Sequence, residues 1–203
     1  MQIDPQELSA GALYRFMISA IVPRPIAFVS TVDARGTTNV APFSYFAPLA
    51  SRPPLLGISI NDRRGGGPKD TLRNARETGD FVVNIVHEPM LDAMVRASGE
   101  WPEGESEFSL TGLAAAPSVR VRAPRVAESL VHFECRLARE VALGNTTLAI
   151  GEIVLVECAD DVLADGLVDA TRLKPIGRLG GDAYSIVRDV VRRARPVVPE
   201  PPK

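Results

Sequence analysis

From residue 26 onward the chain is dominated by short runs of alternating and β-branched residues, broken by Gly, Pro, Asp and Asn. Ile26–Val32, Thr38–Ala41, Leu55–Ile60, Phe81–Val86, Leu130–Ala142 and Thr146–Cys158 each read as a strand. Asp33-Ala34-Arg35-Gly36 is a turn that makes the first two a hairpin. Leu143-Gly144-Asn145-Thr146 carries a two-residue hairpin signal between the last two. Helical patterning intrudes at residues 5–20, where Asp4 can cap and Pro5 suits the first turn, until Pro23 and Pro25 break it. Residues 70–78 begin with Asp70-Thr71 as candidate caps and end at Gly79, and residues 89–98 end at Gly99. A C-terminal helix is predicted over Tyr184–Ala194, with Ile186, Val187, Val190 and Val191 on one face. Six strands with few helices point to a mostly β fold, a β-barrel with added helices, and not to alternating βαβ units.

Length and composition narrow the classes. At 203 residues one domain over 1–194 is expected, followed by a proline-rich, disordered tail at 195–203. A net charge of −2 and a pI near 5.8 argue against a general binder of nucleic acid or anionic membrane. Arg188, Arg192, Arg193 and Arg195 read as a solvated face. No run approaches the ~18 apolar residues that span a bilayer. The first ten residues hold two acids and no base, unlike a secretory signal, so a cytoplasmic protein is expected.

The hairpin register sets Cys135 opposite Val154 and Cys158 opposite Val131, too far apart for a disulfide, so both are expected as reduced, buried thiols. His87 and His132 lack metal-ligand spacing with the cysteines. His132 alternates with Val131 and Phe133 and is expected at the surface or on a pocket rim.

Two segments carry candidate chemistry. Asn61-Asp62-Arg63-Arg64-Gly65-Gly66-Gly67-Pro68-Lys69-Asp70-Thr71 joins a strand end to a helix start. Unpaired N–H groups there, with Arg63, Arg64, Lys69 and the Thr71 hydroxyl, make the donor set of a phosphate cradle. A solvated loop before a capped helix fits the same residues equally. Asn39-Val40-Ala41-Pro42-Phe43-Ser44-Tyr45-Phe46-Ala47-Pro48 gathers three aromatics in an aromatic-poor chain. Pro42 should end or bulge its strand, freeing backbone groups that suit a heterocycle such as an isoalloxazine or a pyridoxal ring. A plain core hairpin is the alternative.

These segments resemble the flavin reductase-like family of FMN-binding split barrels, which includes flavoredoxin and the reductase components of two-component monooxygenases. The matching stretches are Pro23–Thr31, Gly36 with Asn39–Phe46, Arg52–Leu56, Lys69–Asn74 and Gly79–Asn84, in the family's order and spacing. Pro175–Gly181 with Tyr184 is similar to the C-terminal pattern of the flavoredoxin-like branch. The resemblance implies an FMN-dependent oxidoreductase of the flavin reductase type, with FAD as the other flavin. It implies Ser30, Thr31 and the backbone of Asn39, Val40, Ala41 and Pro42 along the flavin ring. Ser44 and the Lys69-Asp70-Thr71 helix start would hold the phosphate, assisted by Arg63 or Arg64. It also implies a homodimer with flavin near the subunit interface, and a monooxygenase or other redox partner. NADH-using members often carry a Gly-Asp-His turn between late strands. Here that turn is Gly144-Asn145-Thr146, which leaves NAD(P)H or a protein as the electron donor. A tight FMN carrier and a non-catalytic flavin binder are the competing readings.

Overall fold

The computed structural model describes residues 2–99, 101 and 105–196. The first half of the chain gives α1 (Ala10–Ala20), β1 (Arg24–Pro25), β2 (Ala27–Val32), β3 (Thr38–Phe43), β4 (Phe46–Ser51), β5 (Pro54–Asn61), α2 (Asp70–Thr78) and β6 (Asp80–Ile85). Then follow α3 (Leu91–Ala97), α4 (Glu107–Thr111), β7 (Ala115–Ala116), β8 (Arg125–Val126), β9 (Val131–Leu143) and β10 (Thr146–Cys158). The chain continues through β11 (Leu163–Ala164), β12 (Leu167–Val168), α5 (Ala170–Leu173), β13 (Ile176–Arg178) and β14 (Tyr184–Ile186).

Seven strands form one antiparallel sheet in the order β3-β2-β6-β9-β10-β5-β4. Its two edge strands, β3 and β4, are consecutive in the chain and joined by Ser44-Tyr45. The sheet therefore curls until its edges meet at that corner, where Ser59 N–H donates to the Tyr45 carbonyl at 2.9 Å. This is a split β-barrel. Its interior holds Ala27, Val29, Phe43, Leu56, Ile58, Phe81, Val83 and Cys135, with Leu72 and Ala75 of α2 closing one end. The period-2 alternation of β2 sends Phe28 to a second core beneath α3 and α4, beside Val40, Met94 and Phe108. Burial of β2 on both faces explains why it lacks polar–apolar alternation: Ala27 to Val29 run apolar, and Ser30 and Thr31 are buried with them.

Helix α2 ends where expected, with Gly79 left-handed at φ +78° and its N–H on the Ala75 carbonyl at 2.9 Å. Arg76 grips Glu140 of β9 through both carboxylate oxygens (2.6–3.1 Å), which fixes the helix against the barrel. The long hairpin turns at Leu143 and Thr146 as the sequence implies. Bulges at Ile150/Gly151 and Ile153/Leu155 move Cys135 opposite Ile153, one residue from the expected Val154. Cys158 stays opposite Val131 and both thiols are free.

Several expectations are corrected. Pro42 neither ends nor bulges its strand: β3 is an edge, paired only with β2, so a residue without an N–H is tolerated mid-strand. The same reasoning admits Pro48 in β4, which the sequence pattern hides behind its prolines. Residues 5–20 split into a 3-10 turn capped by Asp4 and a helix capped by Ser9, whose hydroxyl accepts from Ala12 N–H. Tyr184–Ala194 is not a helix. Tyr184–Ile186 pairs with β13, and Val187 N–H reaches the Pro175 carbonyl, so a free sheet edge captures a β-branched segment. Beyond it Val190 and Val191 are exposed in irregular chain. Arg195 and Pro196 are likewise irregular and exposed, and the rest of the 195–203 tail lies outside the described residues.

His132 is buried, not at a surface or rim. Asn84 uses its amide nitrogen on the Phe28 carbonyl (2.9 Å) and Ser30 Oγ (3.0 Å), so its oxygen accepts from Val126 N–H and from His132 Nδ1. Burial first, and then Arg125, push the imidazole down to about 4, and it is neutral at neutral pH. Neighbouring side chains continue this pattern. Glu134 accepts from Val119 and Arg120 N–H, and Asp80 from Arg122 and Ala123 N–H, so residues 119–126 are strapped across β6 and β9. Among the described residues no helix is long and apolar enough to cross a membrane.

Candidate functional site

A groove of about 740 Å³ opens between the start of α2, the β3 edge and the segment after α3. That size lies inside the ~300–1,000 Å³ of small-molecule sites. One wall is Asn39, Ala41 and Pro42 of β3, and another is Arg63 to Gly66 followed by Lys69, Asp70 and Thr71. Tyr14, Asn61, Asp62, Glu107, Ala97 to Gly99 and Trp101 complete it.

The loop is built by its glycines. Gly66 and Gly67 adopt φ of +87° and +82°, where other residues are strained, and Gly66 N–H closes a turn on the Arg63 carbonyl at 2.9 Å. Asp62 N–H donates to the Asn145 carbonyl at 2.9 Å and the Thr146 hydroxyl to Asn61 Oδ1 at 2.7 Å, so the β9–β10 turn buttresses the loop.

Lys69, not Asp70 or Thr71, is the N-cap of α2, and it makes no side-chain capping bond. The leading N–H groups of the helix thus carry no side-chain cap at the groove wall. Asp70 takes the first helical position and pairs with both Arg63 and Arg73. The Lys69 ammonium stands 5.6 Å from the Phe43 ring centroid.

Behind this corner lies a buried polar relay. With its amide nitrogen toward Glu107 Oε1 (3.2 Å), Asn39 accepts from the Thr71 hydroxyl (3.1 Å), an orientation that satisfies every partner. Glu107 Oε2 accepts from Val40 N–H at 3.2 Å, and Thr38 meets Ser106 at 2.8 Å. Glu107 thus pairs the outward Val40 N–H, and the Thr38–Ser106 hydroxyl contact ties the start of β3 to α4. Burial raises the Glu107 carboxyl above its ordinary value, Asp70 adds to this, and the N–H donors and Arg63 oppose it.

Of the residues singled out by sequence, the structure brings Asn39, Ala41, Pro42, Arg63, Arg64, Lys69, Asp70 and Thr71 to one groove. It does not bring Ser30, Thr31, Val40 or Ser44 to the groove lining. Ser30 is fully buried, donating to the Pro124 carbonyl and accepting from Asn84. Thr31 is buried against Asn74 of α2, and the Val40 side chain belongs to the second core. Ser44 lies by Arg24, whose Nε is 3.5 Å from its hydroxyl. Glu107, Tyr14 and Trp101 were missed. They come from segments with no motif, and only the three-dimensional fold places them at the groove.

The flavin reductase like domain matches residues 18–176. An uncharacterised protein of Halalkalibacterium halodurans is 39% identical over 204 residues, covering 98% of each chain. The structure of nitrilotriacetate monooxygenase component B from Bacillus cereus superposes with a TM-score of 0.91 at 35% identity, over 95% of this chain and 98% of that one. The structure of 2-nitrobenzoate 2-nitroreductase from Pseudomonas fluorescens gives 0.89 at 29% identity, over 98% and 99%. A family match across most of the barrel, with relatives aligned nearly end to end, shows that this chain belongs to the flavin reductase like domain family.

Proposed function

We propose that the chain binds FMN in this groove and passes electrons through it as an oxidoreductase of the flavin reductase type. The observation that carries the reading is the convergence, in one groove, of the α2 start with Arg63, Arg64 and Lys69 and the Ala41-Pro42 wall. This donor set fits the group. Helix N–H groups and three cations match a phosphate dianion, Gly65 and Gly66 leave open space where a Cβ would stand, and the wall is apolar.

Bound flavin supplies the redox chemistry, taking a hydride or electrons from a donor. The chain's own part is to hold charge at the Lys69 corner, to seat the ring against Ala41 and Pro42, and to keep β3 rigid through Glu107. No side-chain acid or base is required for that work. Ser30 and Thr31 act from behind, holding β2 in place.

NAD(P)H is the proposed donor, and a monooxygenase of a two-component pair is a proposed acceptor, in line with the likeness to component B. A carrier that retains FMN is the second reading, because the Gly144-Asn145-Thr146 turn holds no histidine where some members place one, and its Thr146 hydroxyl is already donated to Asn61. We place the chain in the cytoplasm as a single domain over 1–194. Exposed Phe16, Ile21 and Val22 on and after α1 support a homodimer.

The test is titration of flavin-free protein with FMN, then anaerobic NADH or NADPH. Binding and bleaching establish a reductase and name its donor. Binding without bleaching favours the carrier, and no FMN binding overturns the proposal.

A further inference from the structure

Trp101, the chain's single tryptophan, lines the same groove while keeping 40% of its surface exposed. It is nevertheless anchored. Its Nε1–H donates to the Arg96 carbonyl at 3.1 Å, and the indole lies over Gly99. A Cβ on Gly99 would come within 3.0 Å of Nε1 and 3.2 Å of Cε2, so glycine is what lets the ring lie there. Tyr14 of α1, 48% exposed, lines the groove as well. A large ring fixed through its polar edge and packed on backbone has already given up its rotamer freedom, so it offers a preorganised stacking surface.

We propose that Trp101, with Tyr14, is a stacking platform for the adenine of a dinucleotide, either FAD with its phosphates at the Arg63–Lys69 corner or a nicotinamide donor laid along the groove beside the bound flavin. The inference rests on the flavin reading for the phosphate corner and adds a second subsite to it. Adenine fits better than the redox ring, because the reacting ring needs water excluded, whereas Trp101 and Tyr14 stay open to solvent. Two dinucleotides carry that base: FAD, and a nicotinamide donor.

The lone tryptophan makes the test direct. Adenine absorbs too far in the ultraviolet to take up indole emission, so a saturable change in Trp101 fluorescence on adding adenosine monophosphate reports contact. Dissociation constants for FMN and FAD on flavin-free protein, and for NAD⁺ on FMN-loaded protein, are then compared in wild type, Trp101→Phe and Trp101→Ala. Trp101→Ala is expected to leave FMN within about twofold and to weaken FAD or NAD⁺ about tenfold, with Trp101→Phe recovering most of the loss. A loss confined to FAD assigns the adenine to the flavin cofactor, and one confined to NAD⁺ assigns it to the donor. Unchanged emission with adenosine monophosphate, or unchanged affinity for both dinucleotides, overturns the platform. Saturable emission change without FMN binding would instead remove the flavin reading and leave the adenine subsite standing.

Discussion

Thr71 of α2 donates its hydroxyl to Asn39 of β3 at 3.1 Å, so the helix start and the barrel edge move as one body. Thr71→Val keeps the shape and deletes the donor. Stability should fall by about 1 kcal/mol in urea titration, and FMN affinity should fall with it as the helix start loosens. Unchanged FMN affinity at the lowered stability would separate the relay from the binding site.

Lys69→Ala should weaken FMN by about 1–2 kcal/mol, through loss of a charge-assisted contact at an uncapped helix start. Ser30→Ala should leave FMN affinity unchanged and cost about 1–3 kcal/mol in stability, because the Pro124 carbonyl loses its buried donor. Fluorescence titration beside urea denaturation reads both, and the opposite pattern would return Ser30 to the flavin site.

Glu107 is expected to make the protein less stable as pH rises. Its folded carboxyl holds a proton more readily than the unfolded one, so stability drops from pH 4.5 upward until the folded group has titrated. Glu107→Gln should flatten this decline, and urea midpoints at pH 5 and pH 8 compared with wild type measure it.

The buried imidazole of His132 works in the other direction. It stays neutral in the fold while the unfolded chain takes up a proton below 6.5, so stability falls from pH 6.5 down to about pH 4 and then levels. The total is on the order of 3 kcal/mol. His132→Gln, which keeps a donor for Asn84, should lose most of that slope in denaturation curves across the same range.

Gly151→Ala should destabilise by about 1–3 kcal/mol, because its methyl would collide with the Phe81 ring and meet Cys135 Cβ at 3.1 Å in the barrel interior. Denaturation at pH 7 checks this. A neutral result would mean that the bulge beside Gly151 can shift.

The strands from Ile26 to Cys158 were legible because pattern and turn chemistry agreed, most clearly at Asp33–Gly36 and Leu143–Thr146. β4 was not, since Pro48 is acceptable only at an edge and the sequence does not announce edges. The Tyr184–Ala194 pattern failed because helical spacing of β-branched residues lost to a vacant sheet edge beside β13. Local chemistry singled out Lys69, Arg63 and Pro42, and the fold gathers them in one groove. Ser30 and Thr31 share the polar look of ligand contacts, yet burial of β2 on both faces turns their hydroxyls to Asn84, Pro124 and Asn74.

The strap at residues 119–126 is gripped almost wholly by its main chain, through amides held by Glu134, Asp80 and Asn84. Every amino acid except proline offers the same N–H, so the strap's spelling at Val119, Arg120 and Arg122 can drift while its path stays fixed. Memory of that path is kept elsewhere, in Glu134, Asp80 and Asn84, and in Ser30, whose hydroxyl holds the Pro124 carbonyl: four side chains on three barrel strands. Exchanging the strap's letters should be quiet, and changing one of its distant holders should not.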